Sequence, residues 1–457
     1  MDPPLPIDGV LPPDLAGTLV RIGPGPGAVG GALHAVELRD GTAVSYLTRP
    51  SSADANVFWH AGKVLALAET GLPQQFSRVL EPEETEGGIS VPVASHVHRD
   101  AVTGGRVLFG VVPPTEDAPP FLRLGEWDAA GALSHQMEVP LDRATWQHDI
   151  GVTARHIVFI ESPTEYAEDL TSGEEDGAGG EGVEGEGEGE GEGEDDGGGP
   201  AGDRGPSGGG GPERRVAVPF RWTPGAEGWV GVLDREGDGS DVQWVRVDPC
   251  LVTHVLHAHD DGDAVVLYVC RYETPEAGQP VDLTRSVVGP SGIGESLIGD
   301  GLPNVERWRI EGGHLERRQI DERFVEYATS DPTCEGAPFR YGYGVEVAPN
   351  HDRSVDAAVD HLGLLRFDMA RDEVAAWNPG PYRTASEPLF ARAADGRSDD
   401  EGWLLTMVYD APRGASDLYV LDASSFGRRP QAVIHLPAGA ALPFRSHGTW
   451  ISADRYR

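Results

Sequence analysis

Apolar residues in this chain come in short runs. RVLFGVV (106–112), HIVFIES (156–162), AVVLYVCRY (264–272), GLLRFDM (363–369), WLLTMVYD (403–410) and DLYVLDA (417–423) are rich in β-branched and aromatic side chains. Each is bounded by Gly, Asp, Asn or Pro, which is the pattern of strands rather than helices. Asp-Gly pairs at 40–41 and 261–262 fit hairpin turns. GPGPG at 23–27 lacks the Lys-Ser/Thr of a phosphate loop and reads as a turn. Helical periodicity is scarce, and the longest candidate lies near 313–325. The pattern predicts an all-β protein, either a propeller of repeated blades or an array of sandwiches.

One segment breaks the pattern. Thr171–Pro212, with its EGEGEGEGE run, holds 13 acidic residues against one Arg, and Val183 is its one apolar side chain larger than Ala. Such a stretch cannot bury enough surface to offset its ordering entropy. It is expected to be a disordered acidic insertion (171–212) within one propeller domain spanning 1–457. Deleting Ser172–Gly211 is expected to leave the melting temperature, metal content and activity close to the parent's. Loop closure changes by only about 0.6 kcal/mol per doubling of length. A large fall in melting temperature would show that the segment packs.

The formal charge of −39 opposes binding to nucleic acid and docking to anionic lipid. No apolar run approaches the ~20 residues of a membrane span. The N-terminal MDPPLPIDGV has neither a basic region nor an apolar core, so no signal peptide is expected. Cys250, Cys270 and Cys334 form no paired framework and no CxxC. A cytoplasmic location is the expectation.

Four histidines stand in separate local contexts: His96 in ASHVHRDAVTG, His148 in TWQHDIG, His254 in LVTHVLHAHDDGD and His447 in LPFRSHGTW. Their spacing is 52, then 106, then 193 residues; without the 42-residue insertion the second interval becomes 64. Intervals near one, one and three units suit a repeated β-unit that sends a histidine to a common axis from selected repeats. Imidazole is a good ligand for iron, zinc or copper. His96 with His98, or His257 with His259, could instead form local pairs, since alternate residues of a strand share a face. The remaining histidines, among them His34, His60, His135, His156, His314, His351, His361 and His435, have no such pattern and are expected to be structural.

These motifs resemble those of the carotenoid cleavage oxygenase family, which includes stilbene-cleaving enzymes. The resemblance runs from about Leu15 to Ile451, through GTLVRIGPGP, HAVELRDG, NVFWHAGKVLAL, FRYGYG and LGLLRFD. It implies a seven-bladed β-propeller with a small loop and helix cap over an axial metal site. It implies one Fe(2+) per chain, bound by His96, His148, His254 and His447. Glu69 in LALAETG, Glu326 in VEYATSDP and Glu387 in SEPLF fall where the family places carboxylates that accept hydrogen bonds from ligand imidazoles.

The implied activity is dioxygenase cleavage of a conjugated carbon–carbon double bond in a carotenoid or apocarotenoid, giving two carbonyl products. Stilbene-type cleavage, isomerisation, or ligand binding without catalysis are the alternatives. The partners implied are molecular oxygen and an apolar conjugated substrate. The chain departs from the family at His257, His259, Asp260 and Ser446, and Lys63 has no assignable role. Between Tyr46 and Asn56 it is short where relatives carry a longer apolar cap segment. Weak or no membrane association is therefore expected.

Overall fold

The computed structural model describes residues 3–24, 31–69, 71–84, 93–100, 102–166, 220–272, 303–347, 363–442 and 447–456. The acidic insertion, Ser446, His351, His361 and most of GPGPG lie outside these residues. Among the described residues there is no α-helix, only the short 3₁₀ turns Ala411–Arg413 and Ala453–Tyr456.

The described strands form seven antiparallel blades and one further pair, Thr164–Tyr166 with Phe220–Trp222. The first joins both ends of the chain: Gly448–Ser452 pairs with Gly17–Pro24, followed by Gly31–Arg39 and Thr42–Ser51. The second runs from Asn56–His60 to Pro82–Glu83, the third from His98–Arg99 to Leu133–Pro140. The fourth opens on Gly151–Val152 and ends at Gln243–Val247. The fifth and sixth share one long strand, His314–Ser330. Its first part pairs with Asn304–Glu311 and its last part with Tyr341–Val347. The seventh surrounds Gly402–Asp410 and Ala415–Asp422, and takes in Ile7–Gly9 as an added edge strand beside Ala432–His435. The first strands of neighbouring blades touch: Leu251–Asp261 meets both Gly151–Val152 and His314–Ser330, and Gly448–Ser452 meets both Leu389–Arg392 and Asn56–His60.

Period-two alternation explains both the fold and the apolar runs. In Ala264–Tyr272, Val265, Leu267 and Val269 enter a core shared with the fourth blade. Val266, Tyr268 and Cys270 enter a different core, shared with the sixth. Both faces are buried, so the strand reads as continuously apolar. The same holds around the ring: separate buried clusters join blades one and two, two and three, three and four, six and seven, and seven and one. Every blade is thus cemented to two neighbours.

One expectation is corrected. The helical stretch near 313–325 is strand. Gly312 and Gly313, both at positive φ (56° and 79°), turn the chain back on Asn304–Glu311, and the charged side chains of HLERRQIDER then face solvent alternately. The segment from Tyr46 towards Asn56 does not build a cap. It ends the outer strand Thr42–Ser51, where Leu47 packs against the core between blades one and two.

Candidate metal centre

Each of the seven blades delivers one residue to the axis. Blade two gives Glu69, blade three His96, blade four His148, blade five His254, blade six Glu326, blade seven Glu387 and blade one His447. The histidines are therefore one, one and three blades apart. Their candidate ligand atoms all lie within 4.8 Å of one another. The His96 ring centroid is 4.7 Å from those of His148 and His447 and 5.0 Å from that of His254.

Backbone irregularity aims the side chains. Strand Leu251–Asp261 carries two bulges, with Thr253 and Leu256 as the extra residues on either side of His254 and Val255. A regular strand would send Thr253 and His254 to opposite faces; with the bulge both reach the same carboxylate. Thr253 Oγ1 donates to Glu326 Oε1 at 2.5 Å, and His254 Nδ1 donates to Glu326 Oε2. Glu326 sits beside a third bulge, where Tyr327 adopts φ 51°. The Tyr327 ring lies 5.0 Å from that of His254 and 5.1 Å from that of His447, screening both from water.

Three carboxylates fix three tautomers. His148 Nδ1 is 3.0 Å from Glu69 Oε2, and His447 Nδ1 is 2.9 Å from Glu387 Oε1. Trp146 Nε1 also donates to Glu69, at 3.3 Å. Glu387 is itself clamped by the fully buried Arg21, whose Nη1 donates to Oε2 at 2.9 Å and whose Nη2 donates to the Glu387 carbonyl. A donated Nδ1–H leaves each Nε2 with its lone pair.

The site has the electrostatics of a cation site. His254 Nε2 and His447 Nε2 stand 3.3 Å apart, and His96 Nε2 is buried with no hydrogen-bond partner. A cation shared by these nitrogens satisfies all of them, and the three glutamates offset its charge. Burial, and then the other three imidazoles, hold His96 well below the usual histidine value, so it is neutral and able to ligate. Burial alone would raise the Glu326 carboxyl, but the adjoining His254 ring brings it down to about 2. Burial opposes ionisation of Glu387 too, and His447 and Arg21 outweigh it and lower its pKa.

The other described histidines do not join. His98 turns away from His96 to Asp149 and Glu335. His257 spends both nitrogens on Ser330 Oγ (3.0 Å) and the Ala337 carbonyl (2.6 Å) and stacks on Phe339, so it forms no metal pair with His259. Asp260 holds His156 and Thr153. His34 bonds Tyr46 Oη and His60 the Asp128 carbonyl. Lys63 pairs with Glu83 on a blade edge. Arg21 and Thr253 escaped the reading of the sequence. Arg21 stands in a recognised motif, but a buried guanidinium is invisible until its partner 366 residues away is placed.

The family of the retinal pigment epithelial membrane protein matches residues 37–452. The chain belongs to this family, the carotenoid oxygenases. Isoeugenol monooxygenase of Pseudomonas putida is 25% identical over 88% of this chain and 75% of its own length. Carotenoid 9,10(9',10')-cleavage dioxygenase 1 of Arabidopsis thaliana is 22% identical, over 99% of this chain and 87% of its own length. Among solved structures, the lignostilbene dioxygenase of Pseudomonas brassicacearum superposes with a TM-score of 0.76 at 19% identity, covering 98% of this chain and 95% of that one. Cobalt-substituted Synechocystis apocarotenoid oxygenase gives 0.75 at 18% identity. These likenesses establish the propeller, and the curated relatives place the chain among oxygenases, oxidoreductases that incorporate molecular oxygen.

Glu69 provides a direct test of the hydrogen-bonded shell. Glu69→Gln still fits but presents an amide that can face the His148 Nδ1–H with its donor end. Metal affinity is expected to fall about 10–100-fold. An unchanged chelator-competition curve would show that Glu69 does not orient His148.

Proposed function

We propose that this chain is a non-haem iron(II) dioxygenase that cleaves a conjugated carbon–carbon double bond of an apocarotenoid or carotenoid-type substrate. His96, His148, His254 and His447 hold one iron per chain, and Glu69, Glu326 and Glu387 orient three of them. The observation that carries this reading is the convergence of four histidine nitrogens with no carboxylate among them. Iron(II) held by these four histidines would supply the redox chemistry that activates dioxygen. The overall step is balanced: the alkene C=C and the O–O bond break, and each former alkene carbon gains one oxygen as a carbonyl.

The chain's own groups bind, orient and exclude water. The glutamates keep the Nδ1 protons in place, so no ligand proton need move during turnover. Trp146, 5.0 Å from the His148 ring, and Tyr327 wall the histidines with apolar surface. No described helix is long and apolar enough to cross a membrane. A cytoplasmic enzyme with little bilayer affinity, acting on a substrate shorter or more polar than an intact carotenoid, fits the acidic chain.

A second reading is cleavage of a phenylpropanoid double bond. It is favoured by the match to isoeugenol monooxygenase across most of the chain and by a match to lignostilbene-alpha,beta-dioxygenase isozyme III of Sphingomonas paucimobilis. Anaerobic iron loading, followed by aerobic incubation with apocarotenoids, carotenoids and stilbenes, tests both readings. Apocarotenal products detected by mass support the first; aromatic aldehydes alone support the second. No carbonyl product from any substrate would contradict both.

A further inference from the structure

Three of the four axial histidines have a glutamate; His96 has none. The blades explain why. Glu69, on the blade next to His96, is taken by His148, and the carboxylates of blades six and seven are taken by His254 and His447. The carboxylate facing His96 Nδ1 is Asp149, whose Oδ2 stands 3.9 Å away. That is beyond hydrogen-bond reach but within close Coulombic range. Both oxygens of Asp149 are already fixed. Oδ2 accepts the Val255 amide at 2.7 Å, and Oδ1 accepts the Ile150 amide at 2.8 Å and His98 Nε2–H at 2.6 Å. His98 donates its other proton, on Nδ1, to Glu335 Oε1 at 2.5 Å, and Glu335 Oε2 accepts the Arg99 amide at 2.8 Å.

Asp149 is thus a junction. It directly follows His148, it fixes the amide directly after His254, and it faces His96. We propose that Asp149, locked by His98 and Glu335, is a positioning residue for the metal centre and serves His96 in place of the missing fourth glutamate. This rests on the metal-site reading above. A metal on His96 Nε2 makes Nδ1–H the positive end of the ring, and the Asp149 carboxylate holds that end in place. His98 faces a carboxylate oxygen with each nitrogen, bridging Asp149 to Glu335, and so stops Asp149 from turning away. The segment bearing Glu335 also supplies the Ala337 carbonyl and the Phe339 ring to His257. It therefore braces the same end of the axis at two points.

Cobalt(II) titration of the metal-free full chain tests this without requiring turnover. Affinity is read by chelator competition, site geometry by the visible cobalt absorption bands, and folding by melting temperature. Asp149→Asn is expected to weaken cobalt binding about 10–100-fold and to alter the bands. His98→Leu and Glu335→Gln should weaken it in the same direction. His98→Lys, which keeps a donor between the two acids, should stay near the parent. If Asp149→Asn does not fold, the His98 pair and Glu335→Gln decide. Parental affinity and bands in Asp149→Asn, or equal losses in His98→Leu and His98→Lys, would overturn the positioning role alone. A parent chain that binds no cobalt would overturn the metal site and this role with it.

Discussion

His254→Ala is expected to abolish metal binding and activity together and to weaken the fold. His254 supplies one of four nitrogens, and its loss alone should lower metal affinity on the order of a hundredfold or more, at least the cost of disturbing an outer partner. The variant also strands Glu326. That carboxylate is buried, with His254 the largest influence holding it ionised, and alanine leaves it Thr253, Tyr272 and the Tyr327 amide, the last 3.0 Å away, as hydrogen-bond partners. Breaking a buried pair by removing one member costs about 3–5 kcal/mol. Metal analysis and denaturant unfolding of the same preparation read both effects. A variant that keeps stoichiometric metal would show that His254 is not a ligand.

Arg21→Leu is expected to cost about 3–5 kcal/mol by the same logic, because it leaves Glu387 buried without its cation. Arg21 has 0% side-chain exposure and Glu387 8%. Arg21 also lies in the strand that pairs with Gly448–Ser452 and closes the ring, so the loss should appear in the global unfolding transition. Arg21→Lys keeps the charge but not the fork that engages both carboxylate and carbonyl, and should fall between leucine and parent. A loss under about 1 kcal/mol, the range of an exposed pair, would contradict the structural role of this contact.

The histidines were legible because blade repetition imposes a spacing that sequence displays directly. The all-β pattern was legible for a related reason: strands buried on both faces, such as Ala264–Tyr272, read as continuous apolar runs. The glutamates were reachable only through family motifs, since a lone Glu in a strand carries no mark of burial. His314–Ser330 misled because its first part is only partly buried and mostly charged, so polar and apolar positions there do not alternate cleanly. The bulges around His254 and Glu326 leave no trace in composition, yet they decide which residues share a carboxylate. Asp149, His98 and Glu335 belong together only once segments more than two hundred residues apart are folded.

The central claim is that the four-histidine centre directs oxygenative cleavage. The most direct measurement is single-turnover reaction of the iron-loaded chain with ¹⁸O₂ and an apocarotenoid, with products trapped rapidly before carbonyl oxygen exchanges with water. One ¹⁸O atom is expected in each of the two carbonyl products. Unlabelled products, or a substrate that emerges isomerised but intact, would contradict it.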